Sequence, residues 1–153
     1  MPDNKFRFGQ VLKALEAQKH TLPVQIANHA QNYFVGAWKR QAWDGQPWQE
    51  VKRRQPGTPE YKYPKTRDLG RHTRAILVGS IYNKKGEHLR NQVSHSIRSA
   101  TFDIIRLVVE SPYAARHNEG LDGMPRRTFM GQTVELTRMQ REMITKSIDS
   151  IFK

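Results

Sequence analysis

"YAARHNEGLDGMPRRTFMG", residues 113–131, decides how this chain is read. It crowds a histidine, acids, arginines, glycines and a proline directly behind "FDIIRLVVE", residues 102–110, the most strand-like run of the sequence. Either it is a reactive centre or it is a bend that holds a shape. Pro112 suits the first position of a helical turn, and Tyr113, Ala114 and Ala115 can pack that turn against a sheet. Gly120 and Gly123 allow the backbone to reverse, and Phe129 is expected to bury as a plug before a final helix. His117 is expected to hydrogen-bond main chain within the corner. Arg127 is expected to form an ion pair, inside the protomer or across a subunit boundary.

Working outward, Val93, His95 and Ile97 alternate with Ser94, Ser96 and Arg98, and a turn near 99–101 leads into "FDIIRLVVE", predicting an antiparallel hairpin. After the corner, Leu136, Met139, Met143, Ile144, Ile148 and Ile151 recur at three- and four-residue steps, the mark of an amphipathic helix. Near the start, Phe8, Val11, Leu12 and Leu15 predict a short helix that ends before Thr21. A second helix is expected from Pro23, with Ala27, Ala30, Phe34, Ala37 and Trp38 on one face. Ala75–Val78 is a short apolar run that periodicity cannot assign between a buried strand and a helical turn, and Asn83–Gly86 reads as a polar turn.

Between these elements, residues 43–73 are rich in proline, glycine and charge and read as a long basic loop or arm. Asp44-Gly45 marks a turn, with Trp43 and Trp48 able to anchor it. The fold class is therefore α+β. A small antiparallel sheet is flanked by N-terminal and C-terminal helices in one domain, 1–153, with the arm attached.

The chain has 153 residues, no cysteine and a formal net charge of +12. A single domain of this size buries roughly 70% of the surface of its unfolded form. Without cysteine there are no disulfides, thiolate zinc sites or cysteine nucleophiles. The first thirty residues mix charge into the apolar positions and do not read as a signal peptide, and no run approaches the length of a membrane span. The charge calls for an anionic partner, either nucleic acid or an acidic protein surface.

Candidate chemistry is thin. His117, Glu119 and Asp122 could be offered as metal ligands. "HNE" matches the H-x-E opening of a zinc deaminase, but that chemistry needs a cysteine pair. A metal-dependent nuclease could draw on Asp103, Glu110 and Glu119, although Asp103 and Glu110 on one regular strand would face opposite ways. "SHSIRS" is read as a half-polar strand. No cofactor motif is present, and neither a cofactor nor catalysis is expected. The arm residues Lys52, Arg53, Arg54, Lys62, Lys65, Arg67 and Arg71 are candidate contacts: for an acidic neighbour by preference, or for DNA phosphates by counterion release. A merely solvated loop is the third reading.

Three blocks, in order, resemble the virion morphogenesis family of tailed bacteriophages and prophages, the tail completion proteins of Mu-like and related phages. "WDGQPW" at 43–48 resembles the family's P-D-G-x-x-W turn. "KGEHLRNQV" at 85–93 resembles T-G-x-L-x-x-S-I, although Ile97 comes later than the usual Ser-Ile pair. "YAARHNEG" with "PRRTFMG" resembles Y-A-x-x-H-x-x-G followed by P-x-R-P-F-x-G, with Thr128 where the family has proline. The resemblance implies a non-enzymatic virion protein, assembled in the host cytoplasm and working in the tail or neck. It would act in tail completion or head–tail joining, as a homo-oligomeric ring among other junction proteins. Tyr113, His117, Gly120, Arg127 and Phe129 would then form a structural and interface motif.

Overall fold

The computed structural model describes residues 7–63, 70, 72–78 and 88–152. Helices and two small antiparallel hairpins make an α+β fold, with a long N-terminal helix and an amphipathic C-terminal one. The described chain divides into two compact units. The first gathers residues 1–30, 97–107 and 132–153, and the second gathers 31–96 and 108–131.

The N-terminal pair of helices predicted from sequence is one helix, α1, Phe8–Arg40, with Pro23 inside it. Proline at that position removes the hydrogen bond to the Lys19 carbonyl and costs about 3 kcal/mol in a helix interior. Burial offsets it. Leu22 and Ala27 are buried one position before and four after the proline, so the apolar stripe crosses it without a change of phase. Lys39 and Arg40 place positive charge in the last turn, where the macrodipole favours it. Gln41, at φ 47°, ends the helix in a left-handed conformation.

In the first unit, β3 (Ile97–Ala100) pairs with β4 (Ile105–Leu107), joined by a turn in which the Thr101 amide donates to the Ile104 carbonyl at 2.9 Å. The hairpin is shorter than the alternation predicts. Leu89 and Val93 bury together four residues apart, and that spacing makes 89–93 a helical turn, α3, and not the start of a strand. α5 (Val134–Asp149) matches the expected C-terminal helix. Its N-cap, Thr133, accepts from the Leu136 amide, and Leu136 is almost fully buried. Ser147 Oγ lies 2.6 Å from Gln18 Oε1 of α1.

The second unit is built on aromatic packing. Trp38 from the last turns of α1 meets Trp48 edge-on at 5.7 Å and Phe129 at 5.0 Å, with all three rings buried. β1 (Ala42–Trp43) and β2 (Gln46–Pro47) form a two-residue hairpin around Asp44-Gly45. Both turn residues have positive φ, 48° and 76°, as a type I′ turn requires. The described part of the 43–73 segment continues through a 3₁₀ turn at Lys52–Arg54 and a short helix, α2, Pro59–Lys62, capped by Thr58. Ala75–Val78 is not a strand but a turn, because the Gln41 side chain captures the Ile76 amide and Leu77 sits at φ 58°. Ile76 is still buried. The turn expected at Asn83–Gly86 lies outside the described residues.

Among the described residues no helix is long and apolar enough to cross a membrane. α1 has the length, but charged residues run through its first half.

Candidate functional site

The corner after the hairpin begins as the sequence predicts. α4 (Pro112–Ala115) has proline at its start and Ser111 as N-cap, accepting from the Tyr113 amide. It runs into a π-helical turn, Arg116–Gly120, closed by the Leu121 amide donating to the Arg116 carbonyl five residues back. Gly120 then takes φ 75°. A Cβ there would stand 2.9 Å from Arg126 Cβ and 3.2 Å from the Arg126 backbone nitrogen, so both conformation and space call for glycine. Gly123 shares the positive φ but has nothing near it.

What holds the corner closed is Asn118, a residue the sequence reading passed over. Its Oδ1 accepts from the amides of Phe129 and Met130 at 2.9 and 3.0 Å, and its Nδ2 donates to the Met130 carbonyl at 3.0 Å. Its own carbonyl accepts from Thr128 Oγ1. One primary amide thus acts as a short stretch of strand for the return segment. The signal available in sequence was weak, an asparagine between histidine and glycine in a turn-rich segment.

The return segment is then pinned to the first hairpin. Trp48 Nε1 donates to the Thr128 carbonyl at 2.8 Å, and Arg127 Nε donates to the Gln49 carbonyl at 2.9 Å. Phe129 is 1% exposed, as the plug reading requires.

Three expectations for this corner need correction. Tyr113 does not pack inward: the residue is 60% exposed, and the Ser111 cap engages only its backbone amide. His117 joins the corner through its carbonyl, which accepts from the Arg127 amide at 2.7 Å, and its buried Nδ1 has no hydrogen-bond partner among the described residues. Within the chain, Arg127 is held by the Gln49 main-chain carbonyl and makes no ion pair among the described residues. Glu50 nevertheless lies close enough to favour its charge, against a burial that pulls its pKa down. The His117 pKa is lowered, first by burial and then by the Arg127 guanidinium.

Arg127 and His117 also line a cavity of about 310 Å³ in the second unit, together with Arg53, His88 and Tyr113.

The basic segment divides by role. Arg53 donates to the carbonyls of Arg74 and Ala75 at 3.0 and 2.9 Å, and Arg54 donates to Gln41 Oε1 and pairs with Glu50 at 3.3 Å. His72 bonds the Arg53 carbonyl and lies against the Tyr61 ring, centroids 4.1 Å apart and planes tilted by 48°. These two arginines fasten the segment to its own unit. Lys52 and Lys62 face outward, with Lys52 only loosely paired to Glu60 at 3.7 Å. Lys65, Arg67 and Arg71 lie outside the described residues.

The acids offered for metal catalysis do not share a strand. Asp103 sits in the β3–β4 turn of the first unit, while Glu110 and Glu119 belong to the second, so the supposed common strand does not exist. Asp122 pairs with Arg116 at 2.8 Å. Among the described residues no group of three histidine, aspartate or glutamate side chains could hold a metal ion.

No protein-family model, no curated protein and no solved structure matches the chain. A reading of its function therefore rests on its own residues.

Proposed function

We propose that this chain is a structural bacteriophage protein of tail completion or head–tail joining, working in the virion as a homo-oligomeric ring at the neck or tail end. The observation that carries the reading is that two of the blocks resembling the virion morphogenesis family lock each other in space. Trp48 and Gln49, at the end of the "WDGQPW" hairpin, are tied through indole and guanidinium to Thr128 and Arg127 of "PRRTFMG", about eighty residues later. Motif residues used this way set a rigid shape, which a repeated subunit contact needs.

A surface for such contacts lies in the first unit. Leu12, Leu15, Phe102, Ile105, Ile144 and Ile148 line an apolar groove of about 520 Å³. Leu12, Leu15, Phe102, Ile144 and Ile148 each leave a third or more of their surface exposed. Apolar patches of this kind mark interaction sites more often than bare solvent-facing surface. A neighbouring copy of the chain is the occupant this reading assigns to the groove.

The second reading is a DNA-binding protein, favoured by the net charge of +12. Arg53 and Arg54 weigh against a purely electrostatic arm, since both are engaged with main chain or side chains of their own unit. Native mass measurement of the purified protein, alone and with phage tail extract, tests the ring. The expected result is a discrete closed oligomer in at least one condition, and a strict monomer in both contradicts it. Retention on duplex DNA that falls steeply with salt would favour the second reading.

A further inference from the structure

The cavity behind the corner combines features that neither scaffolding nor assembly requires. Arg127 is 5% exposed, yet only its Nε is engaged, on the Gln49 carbonyl; among the described residues its two terminal nitrogens have no acceptor. His88 and His117 line the same cavity, and neither imidazole makes a hydrogen bond among the described residues. Arg53 adds a second guanidinium to the wall, fixed in place by two carbonyls. Among the described lining residues there is no carboxylate. Glu50, which acts on Arg127 from nearby, is already paired with Arg54.

Buried polar atoms without partners are costly, as at Nδ1 of His88 and His117, and a guanidinium whose terminal nitrogens are unengaged has an oxyanion as its natural complement. Desolvation by burial and the neighbouring Arg127 lower the His117 pKa, and the neutral imidazole still carries one N–H that can donate to an entering anion. The apolar residues among the described lining are Val51, Leu77, Val78, Leu89 and Met124. Tyr113, mostly exposed, adds a phenol to the lining. A cavity of about 310 Å³ has room for more than a bare inorganic ion.

We propose that this cavity is a binding site for a small organic oxyanion, a carboxylate or phosphate carried on an apolar body, held by Arg127, His117 and His88. The guanidinium fork takes two oxygens, the imidazoles donate to the remainder, and the apolar walls cover the body. The site lies within one unit of one chain and stands apart from the ring reading: a protein that never assembles would bind equally well.

Three probes test it by calorimetry on the full chain at pH 7: benzoate, phenyl phosphate and inorganic phosphate. Saturable one-to-one binding of benzoate or phenyl phosphate, tighter than inorganic phosphate, is expected, and which of the two binds better identifies the head group. Arg127→Lys and His117→Gln should each weaken that binding about tenfold, since lysine lacks the fork and glutamine displaces the donor. In the wild-type protein the ring nitrogen resonances of His117 and His88 should move as the probe is added, a reading that holds even if Arg127→Lys fails to fold. Affinity undiminished in His117→Gln would mean adventitious attraction to a basic surface and would overturn the site. So would unmoved histidine resonances, or no binding of either organic probe.

Discussion

At the scale of single residues, the corner depends on groups whose importance differs from their prominence in the sequence. Gly120 is required twice over, by its φ of 75° and by Arg126 at 2.9 Å from any added Cβ. Gly120→Ala is therefore expected to destabilise the protein by about 1–3 kcal/mol, whereas Gly123→Ala, strained but unobstructed, should cost about 1 kcal/mol or less. Paired thermal melts check the difference, and equal melting of the two variants would mean that the Arg126 contact is absent. Asn118→Ala removes three side-chain hydrogen bonds and leaves the Phe129 and Met130 amides without their acceptor, a loss of about 2–3 kcal/mol by chemical denaturation. His117 gives a pH signature. Its folded pKa lies below the unfolded value, so the unfolded chain takes up the proton first. Its contribution is complete above about pH 6.5 and is lost as the pH falls toward the folded pKa. His117→Gln should flatten the fall in melting temperature on acidification through that range.

At the scale of elements, what could be read in the sequence followed from how local each signal was. Asp44-Gly45 between two tryptophans marked a turn, and the φ values of 48° and 76° are those its residues favour; the paired strands around it were read as loop. The three-and-four spacing of α5 and the proline start of α4 were equally local and equally legible. Pro23 misled because a local rule met a tertiary override: an apolar stripe on both sides of the proline keeps one helix intact despite the missing bond. Pro23→Ala restores the N–H and should raise stability by about 1–2 kcal/mol. A neutral or lower melting point would instead fit the two-helix reading, in which Pro23 starts a helix favourably. Val93 and Ile97 misled differently. Alternation over a few residues cannot be told from one buried helical turn followed by a strand, and only the shared burial of Leu89 and Val93 separates them. The pairing of Asn118 with the return segment was out of reach, because its partners are backbone groups that carry no sequence signal.

At the scale of the whole molecule, the division into two units was not visible in the chain, since each is assembled from segments far apart in sequence. The second unit concentrates the motif residues, the tryptophan–phenylalanine packing and the oxyanion cavity. The first carries the exposed apolar groove between α1, the β3–β4 hairpin and α5. Replacing Ile144 and Ile148 together by glutamate should leave folding nearly intact, because both are more than a third exposed, and should abolish oligomer formation. Light scattering on that double variant against wild type checks the groove, and an unchanged oligomer would move the contact elsewhere. The proposed role in virion assembly predicts that a phage or prophage carries this gene, and it is tested most directly by electron microscopy of that phage's particles with the gene deleted. Filled heads and unjoined or incomplete tails are the predicted outcome, restored by supplying the wild-type chain. Normal numbers of intact, infectious particles in its absence would contradict the proposed role.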